Sequence, residues 1–201
     1  MEEYKLEAHP VSKKEAIIQG DCYRITMLTS ALVRLEYNSE GVFEDRATQS
    51  VLNRDFPVPE FKVVEDEELV IYTDSLEIHY NRKPFAANGL SIKVVGGGSG
   101  WGRNWNYGDE PSDLLGTART LDGCDGAMKL SDDAYLKGDT PMNEKYSGKV
   151  KMEHGIISRK GFAVVDDSHS MALTEDGWVS PRQGDGEDLY FFGYGHRYLE
   201  V

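Results

Sequence analysis

The chain has 201 residues, of which 39% are hydrophobic and 28% charged, with 21 glycines and 7 prolines. Lys and Arg number 22 against 35 Asp and Glu, a net charge of −13 with His neutral. That sign repels phosphate backbones and argues against a nucleic-acid partner. No stretch approaches the roughly 20 apolar residues a membrane helix needs. The start, MEEYKLEAHP, lacks the basic segment and apolar run of a secretory leader. Cys22 and Cys124 do not make a disulfide framework. The expectation is a soluble, cytoplasmic, acidic protein with no membrane partner, large enough to bury a core as one domain over residues 1–201.

Residues 31–37 alternate after the first positions, so Val33, Leu35 and Tyr37 share one face of a strand. Residues 61–64, 69–72, 76–80 and 90–95 continue in short β-branched or alternating runs, and 162–165 and 189–192 read the same way. Turn chemistry punctuates them: Asn38-Ser39-Glu40-Gly41, Glu65-Asp66-Glu67, Asn88-Gly89, Asp176-Gly177 and Asp185-Gly186. Runs of about 4–8 residues between such turns mark a β-sandwich or barrel. No stretch of about three helical turns carries an amphipathic stripe. The fold class expected is all-β. Residues 96–153 break the pattern, being Gly-rich and aromatic up to Thr120 and polar and irregular afterwards. They read as one long central loop region, of a length that in compact domains is uncommon and usually functional or mobile.

Several constellations bear on chemistry. Gly96-Gly97-Gly98-Ser99-Gly100-Trp101-Gly102 follows a strand-like run, but it lacks the Lys-Ser/Thr pair and following helix of a phosphate cradle, so it reads as a hairpin connection. Trp101, Trp105 and Tyr107 lie in or beside it. They form either a satellite cluster beneath the loop or platforms for the apolar faces of sugar rings. Asp122, Asp125, Asp132, Asp133, Asp166 and Asp167 offer many carboxyl pairs of the kind glycoside hydrolysis uses. With so many acids in the chain, spacing identifies none of them as an acid/base pair. Asp166-Asp167-Ser168 and Asp122-Gly123-Cys124-Asp125-Gly126 read first as turns. The five histidines, His9, His79, His154, His169 and His196, never fall at metal-ligand spacing, and no cofactor is expected. There is no G-x-S-x-G elbow.

Four stretches carry a resemblance. The first is Gly41-Val42-Phe43-Glu44-Asp45-Arg46-Ala47-Thr48-Gln49 with Leu52-Asn53-Arg54. The second is Leu115-Gly116-Thr117-Ala118-Arg119-Thr120-Leu121-Asp122-Gly123 with Asp125-Gly126. The third runs from Gly155-Ile156-Ile157-Ser158-Arg159 through Asp166-Asp167-Ser168. The fourth is Asp176-Gly177-Trp178 with Asp188-Leu189-Tyr190-Phe191-Phe192-Gly193-Tyr194-Gly195-His196. Together, in this order, they resemble the amino-terminal β-sandwich of glycoside hydrolase family 31, the α-glucosidase and α-xylosidase family.

The resemblance implies a galactose-mutarotase-like supersandwich set ahead of a (β/α)8 barrel that holds both catalytic aspartates. The chain would then pack on its own carboxy-terminal barrel, act on terminal α-linked glucose or xylose only through the parent enzyme, and be inactive alone. The family's sandwich lends a loop to the sugar pocket. Asp122 and Asp125, with Arg119 nearby, are the positions the resemblance offers for that role, and Arg119 reads equally as an ion-pair anchor. Separated from the barrel, the exposed face could make a homo-oligomer. Two alternatives from other classes stay open. One is a freestanding carbohydrate-binding module using Trp101 or Trp105. The other is an aldose mutarotase, whose acid/base work would fall to His79 or His196.

Overall fold

The computed structural model describes residues 7–95, 104–109, 156, 158 and 160–195. Its strands are β1 (Ile17–Gln19), β2 (Tyr23–Met27), β3 (Leu32–Tyr37), β4 (Lys62–Glu65), β5 (Leu69–Tyr72), β6 (Leu76–Tyr80), β7 (Leu90–Val94), β8 (Asn104–Asn106), β9 (Phe162–Asp166), β10 (Ala172–Leu173), β11 (Val179–Ser180) and β12 (Glu187–Gly193). The only helical piece among the described residues is one 3-10 turn, Lys14–Ala16. No helix there is long and apolar enough to cross a membrane. Every alternating or β-branched run read from the sequence is a strand, and the protein is an all-β sandwich. The long central loop region expected over 96–153 lies outside the described residues, apart from 104–109.

Two antiparallel five-stranded sheets face each other. The first has the order β1-β2-β3-β12-β9 and the second β4-β5-β6-β7-β8. Register decides which side chains meet. In the first sheet Ile25 pairs with Leu35 and Leu35 with Leu189, while Met27 pairs with Val33 and Val33 with Phe191. In the second, Ile71 pairs with Ile78, Ile78 with Ile92 and Ile92 with Trp105. Because side chains alternate across a strand, these rows all point into one shared core.

Aromatic rings close that core. Trp105 of the second sheet meets Phe191 of the first at 5.6 Å between centroids, and Phe191 stacks on Phe162 at 5.2 Å. At the other end Tyr23 meets Tyr80 edge-on at 5.1 Å. Such pairs add roughly 0.5–1.5 kcal/mol each to the burial itself. The sheets pack closely at the end of β12. A Cβ on Gly193 would stand 2.6 Å from Leu76 Cδ2 and 2.9 Å from Val94 Cγ2, so only glycine fits without repacking.

The outer faces differ. The second sheet turns Tyr72, Glu77, His79 and Lys93 toward solvent. The first sheet is covered on its outer face too, by the chain from 38 to 55 and from 166 to 186, which includes the β10–β11 hairpin. The two covering segments are tied together through Thr48 and Ala172, where Leu173 N–H donates to Ala47 O at 2.7 Å and Gln49 N–H to Met171 O at 3.0 Å.

Phe191 touches rings from both sheets, so Phe191→Ala leaves a cavity that backbone movement cannot fill. The expected cost is about 3–5 kcal/mol, read as a lower urea midpoint at unchanged slope. A loss below about 1 kcal/mol would mean that the two sheets do not share this core.

Candidate functional site

The outward face of the first sheet is charged where a sandwich ordinarily meets water. Its positions are Arg24 and Thr26 on β2, Arg34 and Glu36 on β3, and Asp188 and Tyr190 on β12, and all six are buried. Register places Arg24 beside Glu36 and Glu36 beside Asp188, with Thr26, Arg34 and Tyr190 in the neighbouring row. Buried ions need partners, and each one has them.

Arg24 forks onto Glu36, with Nε donating at 2.6 Å and Nη2 at 2.8 Å, while its Nη1 donates to Asp45 at 2.7 Å. Arg34 forks onto Asp188, with Nε at 2.8 Å and Nη2 at 2.7 Å, and also reaches the Glu44 carbonyl. Arg182 donates to Asp188 and to the Asp167 carbonyl. Arg46 forks onto Glu44 at 2.8 and 2.7 Å. Arg54, 1% exposed, donates to the Tyr190 hydroxyl at 2.5 Å and to the Pro10 and Arg46 carbonyls. Its Nη2 is the one buried side-chain N or O without a hydrogen bond among the described residues, and the nearest carboxylate, Asp167, is 3.9 Å away. Asp167 also accepts from the Thr48 hydroxyl at 2.8 Å. Five arginines thus face five carboxylates, Glu36, Glu44, Asp45, Asp167 and Asp188.

The electrostatics follow from burial and pairing. Burial drives the Asp188 carboxyl upward, but the hydrogen bonds and charge of Arg34, joined by Arg182, outweigh it and hold the pKa below the ordinary aspartate value. Glu36 goes the other way. Burial outweighs the pull of Arg24 and Arg34, and its carboxyl sits above the ordinary glutamate value. Glu44 is less enclosed, and its contacts with Arg46 hold it low against the effect of burial. Glu36, Glu44, Asp167 and Asp188 are buried against guanidinium groups, so they are placed to hold the fold and not to transfer protons, while the fifth carboxylate, Asp45, reaches solvent.

Beside this layer lies an open cleft of about 800 Å³ between residues 7–11, residues 45–47 and the β10–β11 hairpin. Ala8, Pro10, Val11, Ala47 and Leu173 give it an apolar lining, and Glu7, Asp45 and Glu175 bring carboxylates to it. Arg46 lines it as well, but its guanidinium is already spent on Glu44, Ser180 and Pro181. Trp178, the next residue after the lining residue Gly177, is 72% exposed.

The residues singled out in the sequence fall as follows. Trp105 is 2% exposed, packed between Phe191 and Tyr107, with its indole N–H donating to the Asp109 carbonyl at 3.2 Å. It belongs to the core and presents no open ring face. Trp101, Arg119, Asp122, Asp125 and His196 lie outside the described residues, as does Cys124. Asp166 makes the expected turn, accepting from the Ser168 N–H at 2.9 Å, whereas its neighbour Asp167 is buried in the network. His79 sits on the solvent face of β6 between Glu68 (2.9 Å) and Glu77 (3.0 Å), whose hydrogen bonds raise its pKa. Both ring nitrogens are engaged. No cluster of His, Cys, Asp and Glu among the described residues could hold a metal ion.

Arg24, Arg34 and Arg182 sit in no motif. For Arg24 and Arg34 the signal the sequence carries is strand alternation that puts arginines and carboxylates on the same face of neighbouring strands, and Arg182, in a loop, has none. The chain matches no known protein-family model, and no curated protein matches it significantly.

Asp188 gives the network a pH signature. Its folded pKa lies below the unfolded value of 3.8, so the ionised carboxylate stabilises the fold. That contribution is complete above the unfolded value and is lost as pH falls through the folded one. Asp188→Asn, which leaves Arg34 and Arg182 facing a neutral group, is expected to cost about 3–5 kcal/mol at neutral pH. In urea titrations across a pH series the gap to the parent should narrow in the acid range. A gap independent of pH would show that packing, and not charge, is what the substitution removes.

Proposed function

We propose that this chain is the amino-terminal β-sandwich of a glycoside hydrolase family 31 enzyme. In this reading it scaffolds a barrel that cleaves terminal α-linked glucose or xylose and has no hydrolytic activity of its own. One observation supports it above all. Three of the four stretches that carry the family resemblance, far apart in sequence, meet in the buried ionic layer. Glu44, Arg46, Thr48 and Arg54 come from the first, Asp167 from the third, and Asp188 and Tyr190 from the fourth. The fold brings them into contact, Asp188 meeting the third stretch through its N–H, which donates to the Ser168 hydroxyl, and its carbonyl, which accepts from the Asp167 N–H.

The chemistry is compatible with a scaffold. Four of the five network acids are buried, so the two carboxyls that glycoside hydrolysis requires would come from the barrel. The binding-module alternative loses Trp105 as a platform because that ring is in the core. For the mutarotase alternative, His79 faces solvent from the outer side of the second sheet, with both nitrogens already held by glutamates.

The test is complementation. The purified chain alone should release no p-nitrophenol from p-nitrophenyl α-glucoside or α-xyloside. Mixed with a separately produced barrel encoded downstream of Val201, it should restore turnover that neither piece shows alone. The reading fails if no barrel is encoded there, or if the chain alone turns over either substrate and a carboxylate variant abolishes it.

A further inference from the structure

The cleft beside the β10–β11 hairpin is not used by the scaffold reading, and its chemistry is distinctive. Its lining is mainly apolar, a setting that ordinarily marks a binding site. The lining residue Val11 is 63% exposed, and just past the lining residue Gly177 the hairpin leaves Trp178 72% and Val179 50% exposed. An exposed indole next to an exposed valine, beside an apolar cleft, is the composition of an interaction patch.

Charge indicates what the patch accepts. Among the described residues that line the cleft the one cation is Arg46, and its guanidinium is engaged by Glu44, Ser180 and Pro181. The three carboxylates are the groups that face outward. Glu7 and Glu175 are exposed, and Asp45 is held by one oxygen on buried Arg24 while its side chain stays 64% exposed. An anionic ligand would be repelled here, because Glu175 and Glu7 (the latter 3.3 Å from His9 Nε2) stay exposed and only Asp45 has a guanidinium partner. A cationic group would gain from them directly, from the ring of Trp178 by cation–π attraction, and from long-range steering by a chain of net charge −13.

We propose that this cleft docks a linear segment of another protein in which basic side chains alternate with apolar ones. The apolar side chains would seat on Val11, Ala47 and Leu173, and the arginine or lysine heads would reach Glu7, Asp45 and Glu175, with one stacking on Trp178. This proposal stands apart from the family reading and does not require it.

The probe is a fluorescein-labelled peptide of alternating arginine and leucine, titrated with the full chain in an anisotropy assay at several salt concentrations. Saturable binding that weakens with salt is expected, and the matching peptide of alternating glutamate and leucine should not bind. Trp178→Ala and the double variant Glu7→Lys/Glu175→Lys should each weaken binding by about tenfold or more. The double variant Glu65→Lys/Glu67→Lys makes the same charge change on exposed residues of the second sheet and should shift binding less than about twofold. Because these side chains are all exposed, loss of fold does not confound the comparison. Absence of saturable binding overturns the proposal. So does equal weakening by the two charge-reversal pairs, which would make the attraction generic, and so does displacement of the peptide by maltose, which would make the cleft a saccharide site.

Discussion

One sheet of this sandwich is buried on both sides, and the side away from the core is charged. Placing arginine and carboxylate in a low-dielectric layer costs several kcal/mol per ion after relaxation, so each charge must meet a partner in good geometry. The bidentate forks of Arg24 on Glu36 and Arg34 on Asp188 meet that demand, and Arg is suited to it because its planar donors match a carboxylate edge. Net stability is not the main product of such an arrangement. What it supplies is uniqueness, because any other register would leave Glu36 or Asp188 buried and unpaired.

The same demand explains why the long covering segments are ordered without much secondary structure. Residues 38–55 and 167–186 include only two short strands, β10 and β11. They are held because Glu44, Arg46, Arg54, Asp167 and Arg182 must complete the coordination of the sheet's charges. Arg54 and Tyr190 show how far this goes. A guanidinium with 1% exposure is carried by a loop residue and anchored on a tyrosine hydroxyl from a central strand. The gap of 3.9 Å between Arg54 Nη2 and Asp167 is the loosest contact in an otherwise tightly bonded layer.

The sandwich was legible in the sequence because its inner faces follow period two. Val33, Leu35 and Tyr37 on one strand, and the β-branched runs of β5 to β7, leave little freedom in assigning sides. β2 is no less regular, with Tyr23, Ile25 and Met27 alternating as cleanly, although it is not among the runs read from the sequence. β8 was missed because Asn-Trp-Asn in a Gly-rich stretch has no strand composition. The outer layer was illegible for a different reason. Alternation says that Arg34 and Glu36 point away from the core, but it does not say whether water or protein lies there. That depends on segments more than a hundred residues apart, as when Asp188 meets Arg34 or Asp167 meets Thr48. The family resemblance picked out many of these positions without indicating that they meet. Trp105 illustrates the limit at single residues. Its aromatic, loop-like neighbourhood allowed a sugar platform or a packed cluster, and only the pairing of Ile92 with Trp105 turns its ring inward.

The closed layer and the open cleft are mechanically one unit. Asp45, a cleft acid, is fixed by Arg24, which is itself fixed by Glu36. The hairpin wall is fixed by Arg46, which donates to Ser180 and to the Pro181 carbonyl while forked onto Glu44. The cleft's shape therefore derives from these ion pairs together with the backbone bonds of the hairpin to residues 47–49, since a two-stranded hairpin of this length would not hold itself in water. A site assembled in advance spares its occupant the ordering cost that weakens association with mobile loops. An ionic layer closed to substrate can in this way still serve recognition, by holding the adjacent exposed surface in a single conformation.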